Sequence, residues 1–206
     1  DEAALMNGAN LAALGNELIQ FGSAVPIGPN RFQLSSLLRG CRGTEWAMGS
    51  HAANESFVLI EPGSLAEIVL PPSAIGTSVS IRAQGLADDD AVPIERVASG
   101  EAMRPPSPVD LIAEVTAEGG LSASWTRRSR VGWLWPAGSD LPLGESSERY
   151  RLTVQGSGGT LTFEATEPQI VVPANALAGM TGEVTISVVQ VGDFAESRAA
   201  TVVATL

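Results

Sequence analysis

The chain has 206 residues, 44% of them hydrophobic, and a formal net charge of −11 from 23 acidic and 12 basic side chains, every base an arginine. This balance argues against a dedicated nucleic-acid binder, which needs a basic face to neutralise phosphate, and against electrostatic docking on anionic lipid. The hydrophobic share is ample for a core, and 22 glycines with 13 prolines suit a turn-rich β protein better than a helical one.

Cys41 is the single cysteine, so an internal disulfide framework and a cysteine-rich metal site are both out of reach. No apolar run is long enough to cross a membrane as a helix, and no membrane insertion is expected. The start, Asp1-Glu2-Ala3-Ala4-Leu5, is acidic, lacks Met and has no signal-peptide pattern. It reads as a piece of a longer polypeptide.

Helical signal is thin. Ala3 to Leu14 is rich in Ala and Leu, but Gly8 and Asn10 interrupt it. Strand signal begins at Glu17–Phe21 and returns at Arg31–Leu34, with Gly22 to Asn30 between them as a hairpin loop marked by Pro26, Gly28 and Pro29. Further strands are expected at Phe57–Ile60, Ala66–Leu70 and Val79–Gln84. Pro105-Pro106-Ser107-Pro108 holds the chain extended and removes backbone donors, which marks a domain boundary and a hinge crossed by few contacts. Seven strands follow, beginning near Val109, Leu121, Tyr150, Leu161, Gln169, Glu183 and Ala200, separated by turns such as Gly119-Gly120. Pro173–Ala178 has room for one helical turn. Alternation places Leu121, Ala123 and Trp125 on one buried face. This spacing is that of an immunoglobulin-like sandwich.

Few residues invite chemistry. Arg39-Gly40-Cys41-Arg42-Gly43-Thr44 lacks the Gly-Lys-Ser/Thr ending of a phosphate loop, and no helix follows it, so Gly40 and Gly43 are expected to supply positive φ in a tight turn. His51 is the only histidine and reads as a polar loop side chain. Cys41 reads as a buried or half-buried spectator. Asp88-Asp89-Asp90 cannot all converge on one cation and reads as a solvated turn. No catalytic residue, cofactor or metal site is assigned. The segment from Arg127 to Tyr150 stands out, because Arg127, Arg128, Arg130, Trp133 and Trp135 put three arginines and two tryptophans into nine residues. Arginine binds anionic groups bidentately, and aromatic and Arg side chains are enriched in interface cores. These five residues are the candidate interaction surface. Packing, either over the edge of the sandwich or on a neighbouring subunit, is favoured over binding a saccharide.

Two stretches carry family resemblances. The order Pro106-Ser107-Pro108-Val109, a strand, Gly119-Gly120, Leu121-Ser-Ala-Ser-Trp125, Tyr150-Arg-Leu-Thr-Val154 and Val184 to Gly192, followed by Glu196-Ser197-Arg198, resembles a fibronectin type III domain. Trp125 would be its strand-B tryptophan and Tyr150 would open strand C. Thr126 to Arg149 is then an unusually long B–C insertion. The first half, with Gly15-Asn16-Glu17-Leu18-Ile19, a hairpin return and Arg39-Gly40-Cys41-Arg42-Gly43-Thr44, resembles tail-tip (baseplate hub, host-specificity) proteins of siphophages and gene transfer agents. The link from Gly100 to Val109 is similar to the way those proteins pass into their fibronectin-like domain. They also carry a glycosidase-like barrel far upstream. Nothing of it is recognisable here, so no hydrolase activity is carried over.

The expectation is therefore an all-β chain. Residues 1–104 form a small β domain completing a tail hub fold, and residues 105–206 form a fibronectin type III-like sandwich with the long 126–149 insertion. The resemblance implies a structural, non-enzymatic component of a phage-like tail tip, made in the bacterial cytoplasm and acting in tail assembly and host attachment. It implies a homotrimer contacting other tail proteins, with cell-surface glycan as a further partner. The rival readings are a carbohydrate-binding module and an accessory segment of a secreted glycosidase.

Overall fold

In the computed structural model, which describes residues 2–66, 68–131 and 141–206, the chain is nearly all β. A short helix α1 (Glu2–Met6) is stopped by Gly8 at φ 85° and Asn10 at φ 54°. The strands β1 (Leu11–Leu14), β2 (Glu17–Gly28), β3 (Arg31–Leu38) and β4 (Phe57–Leu59) then form an antiparallel sheet in the order β3-β2-β1-β4. Gly15 makes the β1–β2 turn at φ 55°. A Cβ there would lie 1.8 Å from the Glu55 carboxylate, so any other residue would have to displace that side chain.

The β2–β3 hairpin is longer than the sequence suggests. Gly22 to Gly28 is strand, and only Pro29 and Asn30 make the turn. The misleading signals were Pro26 and Gly28. A register shift between them forms a bulge, which is where a strand accommodates a residue with no amide donor. Beyond Phe21 this ribbon is exposed along most of its length.

Ala66–Leu70, expected as a strand, is not one among its described residues. A two-stranded sheet is formed instead by β5 (Ser78–Ala83) and β6 (Val92–Val97). The sequence reading missed β6, because Pro93 lies inside it. Asp88 lies in the connection, where its carboxylate accepts the Gly85 amide at 2.7 Å.

From Val109 on, every expected strand is present: β7 (Val109–Val115), β8 (Leu121–Thr126), β9 (Tyr150–Gly156), β10 (Gly159–Ala165), β11 (Gln169–Val172), β12 (Glu183–Gln190) and β13 (Ala200–Thr205). A 3-10 turn occupies Ala174–Leu177. The sheets β11-β8-β7 and β10-β9-β12-β13 are antiparallel throughout, which is the strand arrangement of a fibronectin type III sandwich. Leu121, Ala123 and Trp125 of one sheet face Tyr150, Leu152, Val154, Val184, Ile186 and Val188 of the other. Trp125 meets Tyr150 edge to face, with ring centroids 5.0 Å apart.

The proline segment differs from a contact-poor hinge. Pro105, Pro106 and Pro108 are buried. A Cβ on Gly192 would come within 2.6 Å of the Pro105 ring, so the glycine lets the prolines lie flat on the sandwich. A chain without amide donors can be covered this way without leaving unsatisfied N–H groups.

Candidate functional site: an arginine-lined cleft

The site begins at the turn segment between β3 and β4. Gly40, Arg42 and Gly43 have φ of 61°, 57° and 83°, three left-handed residues within four positions. Two 3-10 turns, Cys41–Gly43 and Glu45–Ala47, result. Gly40 and Gly43 therefore do supply positive φ in a tight turn. The same backbone holds Arg42 in a conformation that residues with a Cβ seldom adopt. Thr44 fastens the segment, its hydroxyl accepting the Leu18 amide at 2.9 Å and donating to the Cys41 carbonyl at 2.8 Å.

Beneath this turn lies Glu17, whose side chain is fully buried. Its carboxylate accepts from Arg39 Nε at 2.7 Å and Nη2 at 2.6 Å, from the Gly40 amide at 2.7 Å, and meets His51 Nε2 at 2.5 Å. The Arg39 hydrogen bond, opposed by burial and helped by the Gly40 amide and His51, lowers the Glu17 pKa to about 2. His51 is more than a polar loop side chain. Its Nδ1 meets Glu55 at 2.6 Å, so it bridges two carboxylates, and Glu55 first, then Glu17, raise its pKa. Cys41 is half-buried and its thiol is pushed up chiefly by desolvation. Sequence reasoning missed Glu17 as the centre of this cluster. The available signal was its phase, because Glu17 shares the inward side of its strand with Ile19.

The arginines singled out from the sequence are engaged within the chain. Arg127 donates to the Leu141 carbonyl at 2.9 Å and lies 3.9 Å from Glu148. Arg128 reaches Glu45 at 2.6 Å. Arg130 donates to Glu145 at 2.7 Å and to the Gly144 carbonyl at 2.5 Å, and Glu145 in turn accepts the Asp193 amide at 2.9 Å. Arg127, Arg128 and Arg130 thus diverge onto three different carboxylates. Trp133 and Trp135 lie outside the described residues.

A cleft of about 370 Å³ opens where the Cys41–Ala47 turns approach Glu101, the prolines and Arg198. It adjoins a second hollow of about 740 Å³ that reaches Asn16 and Ser99 and shares Arg42, Trp46, Glu101, Arg130 and Arg198 with it. Four of the chain's twelve arginines, Arg42, Arg104, Arg130 and Arg198, line the first cleft. Arg198 pairs with Glu101 at 2.9 Å, and its guanidinium sits 4.1 Å over the ring of Trp46. Arg104 pairs with Glu101 at 3.2 Å and donates to the Glu196 carbonyl at 2.5 Å. Arg42 is exposed and makes no hydrogen bond or ion pair among the described residues. The cleft therefore combines an uncommitted guanidinium, an aromatic ring and carboxylate acceptors. No cluster of metal-ligating side chains occurs among the described residues.

Comparison with known proteins adds the following. Residues 1–58 match a family model described as Rcc01698-like, C-terminal. No curated protein matches the chain. Among solved structures, domains d3-d4 of the rat CD45 extracellular region are similar at 10% identity and a TM-score of 0.40, covering 77% of this chain and 92% of that one. A two-domain fibronectin type III segment of chicken tenascin is similar at 12% identity and a TM-score of 0.33, covering 95% of this chain and 96% of that one. A fibronectin type III domain of human fibronectin type III domain containing protein 3 is similar at 14% identity and a TM-score of 0.33, covering 49% and 84%. The chain thus joins a first segment similar to the Rcc01698-like C-terminal family to a sandwich whose strand order is that of fibronectin type III.

Proposed function

We propose that this chain is a structural component of a phage-like tail tip of the gene transfer agent type, acting in tail assembly and attachment to the host cell. The observation that carries the reading is the family match over residues 1–58, the stretch that also holds the Gly15–Ile19 strand motif and the Arg39–Thr44 turn motif. On this reading the chain catalyses nothing and works by fitting against other tail proteins and further copies of itself, in a homotrimer. It is made in the bacterial cytoplasm and ends at the tip of the particle.

The surface of the first region suits such a role. Val25, Ile27 and Phe32 stand exposed on the β2–β3 ribbon, and Val69, Leu86, Val92 and Val97 are exposed further on. Large apolar side chains exposed together mark protein contacts. The test is immunogold labelling of particles with an antibody to the sandwich, combined with deletion of the chain. Label at the tail tip, and tails that fail to assemble or adsorb without the chain, are expected. Label elsewhere or nowhere, or normal particles from the deletion strain, would overturn the reading.

A further inference from the structure

The geometry points to the Arg42–Trp46 cleft as a binding site for an acidic saccharide, with a sugar carboxylate on Arg42 and a sugar ring against Trp46. The cleft is of a size that holds a small ligand. Arg104, Arg130 and Arg198 each have a carboxylate or carbonyl partner, but Arg42 has none among the described residues. It is held at φ 57°, in a backbone state that is costly for arginine and that glycine would adopt freely. A guanidinium with its donors uncommitted recognises a planar carboxylate in bidentate fashion.

The surroundings choose among anions. Trp46 is 46% exposed, and although Arg198 lies over its ring, the rest of its surface is apolar and stands beside the charge. Glu45 and Glu101 line the same cleft. Carboxylates there accept hydrogen bonds from sugar hydroxyls but repel a phosphate polyanion. The chain's net charge of −11 acts in the same direction on any long polyanion. One carboxylate on a ring of hydroxyls satisfies the arginine, the acids and the tryptophan together. A nucleic acid or polyphosphate satisfies only the arginine. The assignment does not depend on where the chain is located in the cell or particle.

Isothermal titration of the full chain with a tetrasaccharide that ends in a single glucuronate tests the assignment. Neutral maltotetraose, a glutamate-rich peptide and a short single-stranded DNA serve as the other probes. Saturable binding of the uronate alone is expected. Arg42→Gly should weaken it by about tenfold or more, the usual scale for loss of a charge-assisted bidentate contact, and Trp46→Ala should weaken it as well. Arg42→Gly relieves the left-handed strain, so its fold is safeguarded, and unchanged thermal melting would verify this. Arg31→Ala, at the far end of the ribbon, should bind like the parent. Absence of saturable uronate binding would overturn the inference. So would equal binding of maltotetraose, tighter binding of the peptide or DNA, or undiminished binding by Arg42→Gly. None of these outcomes bears on whether the chain is part of a tail tip.

Discussion

The two regions of the chain solve the problem of stability differently. After Pro108, eleven buried apolar residues meet between two sheets, and the strands alternate inward and outward with few exceptions. Before the proline segment, the buried hydrophobic side chains among the described residues are Leu11, Ala12, Ile19 and Ala47, and the buried polar residues Glu17 and Gln20 sit among them. Gln20 donates to the Leu5 and Ala9 carbonyls at 2.8 and 2.7 Å, pinning α1, while Glu17 organises the turn above it. A small apolar core stabilises little on its own, because burial contributes in proportion to area. The first region relies on a charged knot instead, and its apolar side chains largely face outward.

The most drastic way to break the contrast is to hollow the sandwich. Trp125→Ala should cost about 3–5 kcal/mol, the range for a buried aromatic. Calorimetry should show the sandwich transition falling while the first region's transition stays in place. Unchanged unfolding would refute Trp125 as a core residue.

Next in size is removal of the knot. Glu17→Ala leaves Arg39, His51 and the Gly40 amide without their shared acceptor. It should cost about 2–3 kcal/mol, the scale for losing hydrogen bonds to a buried charge. Hydrogen exchange at the Gly40 amide should accelerate, whereas the Leu152 and Ile186 amides of the sandwich should exchange as before.

Acid and alkali sharpen the comparison without mutation. The Glu17 pKa is lowered to about 2, so its contribution is present above the ordinary value of 4.5 and is lost as pH falls from there toward about 2. The His51 pKa is raised from 6.5, so its contribution is complete below 6.5 and is lost as pH rises through the higher folded value. The first region should therefore be most stable between these limits and weaken on both sides. His51→Ala should remove the alkaline decline and leave the acid one. Circular dichroism melts across pH check both expectations.

The smallest effect belongs to the contacts between the regions. Arg128→Ala breaks a partly exposed pair with Glu45 and should cost about 0.2–1 kcal/mol, less at high salt. A loss well beyond that range, measured in a double-mutant cycle with Glu45→Ala, would mean that the two regions unfold as one unit.

The same contrast explains what could be read in advance. The strands of the sandwich are legible because inward and outward residues alternate along them and glycine or proline flanks several, as Gly120 precedes Leu121–Trp125 and Gly156 follows Tyr150–Val154. The tip of the β2–β3 ribbon was not, because Pro26 and Gly28 signal a turn locally while the pairing Val25 to Gln33 and Pro26 to Phe32 is decided across the hairpin. Phe57–Leu59 was found, but Pro93 concealed β6. The cleft was out of reach of pattern, since Arg42, Trp46, Glu101 and Arg198 are brought together only by folding. The partners of Arg128 and Arg198, Glu45 and Glu101, are 83 and 97 positions away. The left-handed turn at Gly40 and Gly43 was legible because glycine at such positions answers a local steric demand.

The ribbon also has a colloidal consequence. Its outer strand, β3, lies at the edge of the sheet, so among the described residues one row of its amides and carbonyls has no neighbouring strand. Chains that each carry −11 repel one another at long range, which opposes pairing of such edges. That repulsion reaches about 10 Å at 0.1 M salt and only about 3 Å at 1 M. The purified chain is therefore expected to stay dispersed in dilute buffer and to associate through this edge in brine, which light scattering across a salt series would check.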